Sequence, residues 1–335
     1  MRNHQVRLAA RPNGDVKPSD WDHTEEEVGS PGDGDALVKV RYLSLDPAMR
    51  GWMNEGRSYV PPVEIGEVMR AIGVGEVVES ASDKVAPGDF VTGLFGIQEY
   101  ASLTADALTK IDPDLAPLPT YLSVLGMPGM TAYFGLLDVG GPVEAGNTVV
   151  VSGAAGAVGM VVGQIAKLKG CRVIGIAGGP DKCGWVVDEL GFDACIDYKA
   201  EDVAARLRDL CPDRIDIYFD NVGGEILDAC LARLNRGARV VICGAISQYN
   251  ASDGMRGPKN YMSLLVNRAR MQGFVVFDYA SRYRDAAQEM GGWMAAGKLK
   301  AKEDIEPGGV AAFHDTLQKL FRGENVGKLV LALEE

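Results

Sequence analysis

Residues 149–170 read VVVSGAAGAVGMVVGQIAKLKG, and no charged side chain occurs from Ala145 to Ala166. That length would suit a bilayer span of ~20 residues, but Asn147, Thr148, Ser152, Gln164 and five glycines interrupt the run. A buried strand over 148–152, a turn of small residues and a helix from about Ala157 to near Gly170 is the better reading. The strand is a short β-branched run bounded by glycine. The helix carries Lys167 and Lys169 in its last turn, with Gly170 as its stop.

Gly153, Gly156 and Gly159 then fall where the strand becomes the helix. Their G-x-x-G-x-x-G spacing resembles a dinucleotide fingerprint, in which missing side chains let a pyrophosphate reach the backbone and the positive end of a helix. The same glycines would also permit tight strand-helix packing with no ligand.

The whole chain sets the frame. Its 335 residues suffice for two domains, and 47% hydrophobic with 24% charged residues is ordinary globular composition. A formal charge of −12 argues against a nucleic-acid or anionic-membrane partner, because both need a basic face. The opening MRNHQVRLAARPNGDVKP lacks a signal peptide's apolar core, so a cytoplasmic address is expected. All six cysteines lie at or after Cys171, at least twelve residues apart and without C-x-x-C, and read as reduced, mostly buried small hydrophobes. His4, His23 and His314 are scattered, so no metal site is expected.

The first 120 residues alternate short apolar runs with Gly, Pro and Asp turns, as in ALVKVRYLSL, AIGVGEVVES, KVAPGDFVTGLFG and QEYASL, the rhythm of a compact antiparallel β unit. After a helix over LGMPGMTAYFGLLDVG the rhythm changes. VVVS, RVIGIA, ACIDY, IDIYFD and ARVVICGA alternate with helical segments, the pattern of an α/β doubly wound parallel sheet. RMQGFVVFD reads as a sixth strand, GGVAAFHDTLQKLFRG as a late helix, and KLVLAL as a strand able to rejoin the first unit.

If the glycine turn holds a dinucleotide, the end of the next strand reports which one. An NAD site usually offers Asp or Glu there. Here RVIGIA runs into Ala177, Gly178, Gly179 and Pro180, followed by Asp181 and Lys182. A roomy turn followed by a cation suits a 2'-phosphate, with Lys182, Tyr198 and Lys199 around it, although Lys182 would equally open a solvated helix. FDNVGG (219–224) and CGAISQYN (243–250) end the next strands, where small residues let backbone reach a ligand or simply make turns. Tyr249 is the aromatic hydroxyl of the second loop. No G-x-S-x-G, H-E-x-x-H or Y-x-x-x-K occurs, which leaves hydride transfer from a bound nicotinamide, a chemistry that asks little of side chains.

SLDPAMRGWM (44–53), IGEVMRAIGVGEVVES (65–80), AAGAVG (154–159), QIAKLKGC (164–171), FDNVGG, CGAISQYN and GENVGK (323–328) together make the chain similar to the medium-chain dehydrogenase/reductase superfamily, in its zinc-free branch of prostaglandin and alkenal double-bond reductases. The resemblance implies a GroES-like catalytic domain over 1–122 and 300–335 and a Rossmann NADP(H)-binding domain over 123–299. It implies pyrophosphate contact at Ala154, Ala155, Gly156, Ala157, Val158 and Gly159, and 2'-phosphate contact at Lys182 and Tyr198. Further cofactor contacts would fall on Asn221, on Cys243, Gly244, Ala245, Ile246, Ser247, Gln248 and Tyr249, on Phe274, Val275, Val276 and Phe277, and on Asn325. Where zinc-bearing relatives have G-H-E, this chain has Gly66-Glu67-Val68.

The implied reaction is NADPH-dependent reduction of the carbon-carbon double bond of an enal or enone. Tyr249 would act at the substrate oxygen and Arg50 would orient substrate, unless Arg50 is a structural ion pair. NADPH:quinone reduction and a non-catalytic NADPH sensor are the alternatives. A homodimer joined through MQGFVVFD is also implied.

Overall fold

The computed structural model describes residues 1–252 and 254–333. The N-terminal part of the chain builds β1 (Arg2–Leu8), β2 (Trp21–Glu27), β3 (Asp35–Ser44), α1 (Ala48–Trp52), β4 (Gly73–Ser80), β5 (Phe90–Gly93), β6 (Tyr100–Thr104) and β7 (Thr109–Ile111). In β3 the residues of ALVKVRYLS are buried on both faces, as a central strand requires.

The middle of the chain alternates strictly. After α2 (Met127–Phe134) come β8 (Thr148–Ser152), α3 (Gly159–Leu168), β9 (Arg172–Ala177), α4 (Pro180–Asp188), β10 (Ala194–Asp197), α5 (Val203–Leu210), β11 (Ile215–Asp220), α6 (Gly224–Leu231), β12 (Leu234–Ile242), α7 (Met262–Asn267), β13 (Arg270–Gly273) and α8 (Tyr283–Ala295). The six strands form one parallel sheet in the order β10-β9-β8-β11-β12-β13. The strand order reverses between β8 and β11, and ligands of such sheets bind beyond the carboxyl ends of the strands at that reversal.

The chain ends with β14 (Glu303–Glu306), α9 (Phe313–Phe321) and β15 (Lys328–Ala332). β15 pairs antiparallel with β3, Val330 opposite Ser44, in a sheet of order β14-β15-β3-β4-β5-β7. Two compact units result. One is 1–122 with the chain from Glu303 onward, and the other is Ser123–Lys302. Each has its own core: Met49, Met69, Phe95 and Phe313 lie in the first, Phe134, Val149, Ile165 and Phe219 in the second.

The uncharged run of 145–166 is thus a fully buried strand, a turn and the start of a helix. No helix among the described residues is long and apolar enough to cross a membrane. RMQGFVVFD is a strand only to Gly273. Phe274 leaves it because its ring turns in over Gly135, which has no side chain to block it, and packs against the second unit's core.

α3 is held to the sheet by a ring in a notch. A Cβ on Gly163 would meet Phe192 Cζ at 1.8 Å, and Phe192 itself is buried. Replacing Phe192 by Ala is expected to cost about 3–4 kcal/mol, because the helix cannot collapse onto the vacated space without moving the glycine turn. Urea denaturation of the two proteins measures it.

Candidate functional site

Five strand ends of the parallel sheet bring most of the sequence-derived candidates together. At the end of β8, Gly153 takes φ +61°, and a Cβ on Gly159 would lie 2.2 Å from the Gly153 carbonyl oxygen, so the turn closes only with glycine there. Ala154, Ala155, Gly156, Ala157 and Val158 fill the interval, and the Ala154 N–H donates to Ile176 O at the end of β9. The N-cap of α3 is Val158, whose side chain cannot cap. In its first turn the Met160 and Val161 N–H groups donate to Gly156 O and Val158 O, and the positive end of the helix dipole lies at the end of β8.

At the end of β9, Gly178 lies against Tyr198 and Lys199: a Cβ there would meet Tyr198 Cε1 and Lys199 Cε at 2.9 Å. Lys182 stands in the first turn of α4, half-buried. Asp197 at this corner is already engaged, its Oδ1 accepting the N–H groups of Gly179 at 2.8 Å and Lys199 at 3.0 Å. Lys182 and Tyr198 stand at this corner, side chains suited to phosphate rather than to ribose hydroxyls.

The ends of β8 and β11 are tied by a group the sequence reading did not single out. Asp220 is buried, and its Oδ1 accepts from the hydroxyls of Tyr218 (2.7 Å) and Ser152 (3.1 Å) and from the N–H groups of Val222 (3.1 Å) and Gly223 (2.9 Å). Burial pushes its carboxyl pKa up, against these four donors. Asn221, expected as a cofactor contact, is part of the same knot: its backbone N–H donates to Ser152 Oγ and its Nδ2 to Ser152 O at 2.7 Å. An acid at the end of an apolar strand, opposite a serine ending its neighbour, was the available signal.

Beyond β12, Cys243 and Gly244 donate their N–H groups to Asp220 O, and Ile246, Ser247 and Gln248 form a single helical turn. Tyr249 folds back so that its hydroxyl oxygen accepts the Ala245 N–H at 3.1 Å. It reaches there because Gly244 has no side chain, since a Cβ would sit 2.8 Å from that hydroxyl. Val275, Val276 and Phe277 follow Phe274 into a short 3-10 helix; Val276 packs on the core and Phe277 is exposed.

Two candidates belong to the other unit. Asn325 is buried in the turn before β15, its Nδ2 donating to Gly327 O. Arg50 is engaged within its own unit. It is buried, its Nε and Nη2 donate to Gly14 O, Nη2 also to Pro12 O, and Nη1 to Asn54 Oδ1. Its hydrogen-bond partners are carbonyls; burial lowers its pKa from the ordinary arginine value, and the charges of Asp20 and Asp15 act the other way. The residue anchors the loop of 12–14.

Comparison with known proteins decides the family. The chain is 45% identical to the NADPH-dependent curcumin reductase of Escherichia coli, covering 99% of this chain and 97% of that protein. The chain belongs to the zinc-independent branch of the medium-chain dehydrogenase/reductases. Residues 4–111 match the N-terminal domain of oxidoreductase family, and 157–292 match the zinc-binding dehydrogenase family. The 2-alkenal reductase (NADP(+)-dependent) of Nicotiana tabacum is 42% identical over 99% of this chain and 97% of its own. CurA of Vibrio vulnificus, solved in complex with NADPH, superposes with a TM-score of 0.94 at 43% identity over all of both chains. Despite the name of the second family, the described residues of this medium-chain reductase hold no group of three or more His, Cys, Asp or Glu able to take a metal.

Asp220→Ala is expected to lower stability by about 3 kcal/mol, because two hydroxyls and two N–H groups lose their acceptor, whereas Asp220→Asn, which keeps an oxygen, costs about 1 kcal/mol. Urea midpoints of the three proteins check this. Arg50→Met should lower stability by about 2 kcal/mol through the carbonyls it strands, while turnover per folded molecule is unchanged. Thermal melts with active-site titration separate the two effects.

Proposed function

We propose that this medium-chain reductase uses NADPH to reduce the carbon-carbon double bond of α,β-unsaturated aldehydes or ketones. The observation that carries the reading is the convergence at the sheet's reversal point: an uncapped helix N-terminus behind a glycine turn, Lys182 and Tyr198 at the neighbouring strand ends, and Tyr249 folded over Gly244. The relatives named for curcumin, alkenals and NADPH support the same substrate class and cofactor.

The N–H groups at the start of α3 would hold the pyrophosphate, and Lys182 and Tyr198 the 2'-phosphate. NADPH, when bound, supplies hydride to the β-carbon. As charge moves onto the carbonyl oxygen, the Tyr249 hydroxyl donates a hydrogen bond to it. Because the same oxygen accepts the Ala245 N–H, the phenol is polarised as a donor. The proton that completes the reduction reaches the α-carbon from solvent or through Tyr249.

A homodimer is part of this reading. β13 is an edge strand with every residue exposed, and Met262, Leu265 and Val266 of α7 stand exposed beside it. A cytoplasmic address goes with it.

Nicotinamide absorbance followed with NADPH or NADH against a 2-alkenal, a conjugated enone and a simple quinone tests the proposal. A product two hydrogens heavier with its carbonyl kept supports it; oxidation with quinone alone, or with no acceptor, removes it. Lys182→Ala is expected to weaken NADPH by about tenfold, ~1.4 kcal/mol, and to leave NADH unchanged, as fluorescence titration would read. Tyr249→Phe should lower kcat about 10- to 100-fold with NADPH affinity nearly unaltered, the loss expected for one donor at a developing oxyanion. Steady-state kinetics with direct binding resolves the two terms.

A further inference from the structure

Cys183 and Cys195, twelve residues apart in sequence, meet in the fold. Cys183 lies in the first turns of α4 and Cys195 is the second residue of β10, and Cys195 Sγ points at Cys183 Sγ from 2.9 Å. Both are half-buried, while Cys171, Cys211 and Cys230 are buried. The space between helix and sheet is kept open by Gly175, where a Cβ would stand 3.3 Å from Cys195 Sγ. A disulfide bond is about 2.05 Å long, so less than about 1 Å of approach separates the two thiols from a bond, within the reach of a side-chain rotation. Neither thiol has a part in the proposed reduction.

We propose that Cys183 and Cys195 form an oxidisable dithiol site, which a hydroperoxide closes to an intramolecular disulfide beside the turn that carries Lys182 and Tyr198. Cys183 Sγ, as thiolate, attacks the peroxide oxygen; the O–O bond breaks, and the alcohol leaves with a proton. Cys195 Sγ then attacks the resulting sulfenic sulfur, the S–S bond forms, and the hydroxyl departs as water with the second thiol proton. Two S–H groups and one hydroperoxide become one disulfide, one alcohol and one water. Burial raises the pKa of both thiols, and the charges of Asp197 and Glu201 raise that of Cys183 further, which keeps the attacking thiolate scarce and closure slow. Once closed, the bond fixes the first turns of α4, with Lys182, to the strand that runs into Tyr198. That consequence rests on the cofactor reading above; the disulfide does not.

The sequence makes the test direct, because no Lys or Arg lies between Cys183 and Lys199 and one tryptic peptide holds both thiols. The full-length protein is treated with tert-butyl hydroperoxide, alkylated under denaturing conditions, digested and weighed, with Cys183→Ser and Cys195→Ser treated alongside. The expected result is a 183–199 peptide two hydrogens light and unalkylated, four of the six thiols still titratable, and no such peptide from either variant. Oxidation at other cysteines, or sulfinic acid on Cys183 with Cys195 still alkylated, overturns the proposal. Saturating NADPH is expected to slow closure about threefold or more by covering the Cys183 side of the turn. If the disulfide forms at the same rate while NADPH binds, the dithiol site stands and its neighbourhood to the phosphate is refuted. If NADPH does not bind at all, the functional reading fails and the disulfide stands alone.

Discussion

One buried carboxylate organises the crevice. The strand order of the parallel sheet reverses between β8 and β11, and at such a reversal the chain crosses to opposite faces of the sheet, leaving a gap at the strand ends that nothing in the ladder closes. Asp220 closes its floor. Its Oδ1 gathers the Ser152 hydroxyl from one strand, the Tyr218 hydroxyl from its own, and the two N–H groups that lead into α6. Ser152 in turn accepts the Asn221 N–H, so the strands are locked in a chain of donors and acceptors, each strengthening the next. Desolvation opposes a charge here, and the helix dipole of α6 with four donors favours it. The carboxylate is consumed by internal donors, and the positive end of the α3 dipole lies at the end of the neighbouring strand.

This division explains what was legible in the sequence and what was not. Backbone-driven features could be read, because they depend on residue type and spacing alone. The strand of 148–152 is five β-branched or small residues ending at glycine, and Gly159 is demanded by a contact with the carbonyl of Gly153, six residues earlier. The edge strand was read too long because alternation cannot distinguish a residue that extends a ladder from one that turns inward. Phe274 turns inward because of Gly135, more than a hundred residues earlier. Asp220 hid for a similar reason: its partners lie on two strands, and an acid closing an apolar run reads as the end of a strand.

Arg50 poses the opposite problem. A cation inside an apolar, proline-led segment invites a role in binding, and the chemistry of arginine allows either. The structure distinguishes them by what its nitrogens meet. Three of its contacts are with backbone carbonyls of a loop that has no strand partner, groups which would otherwise be buried without donors. Four of the five N–H groups of this guanidinium are so engaged, and its use as a clamp rests on the number and rigidity of those donors.

Tyr249 invites the same scrutiny, and there the geometry leads elsewhere. Its oxygen accepts a hydrogen bond, whereas every contact of Arg50 spends a donor. A hydroxyl that accepts a backbone N–H is fixed in position by that bond, and the missing side chain of Gly244 makes that position reachable. A tyrosine needed only for packing would bury its ring and leave the hydroxyl to water. This one is held by its hydroxyl to a loop whose backbone is itself bound to the Asp220 carbonyl, so the phenol inherits the rigidity of the strand ends. Preorganisation of that kind matters for a group that must meet charge as it develops, since a donor already in place costs no reorganisation when the charge arrives.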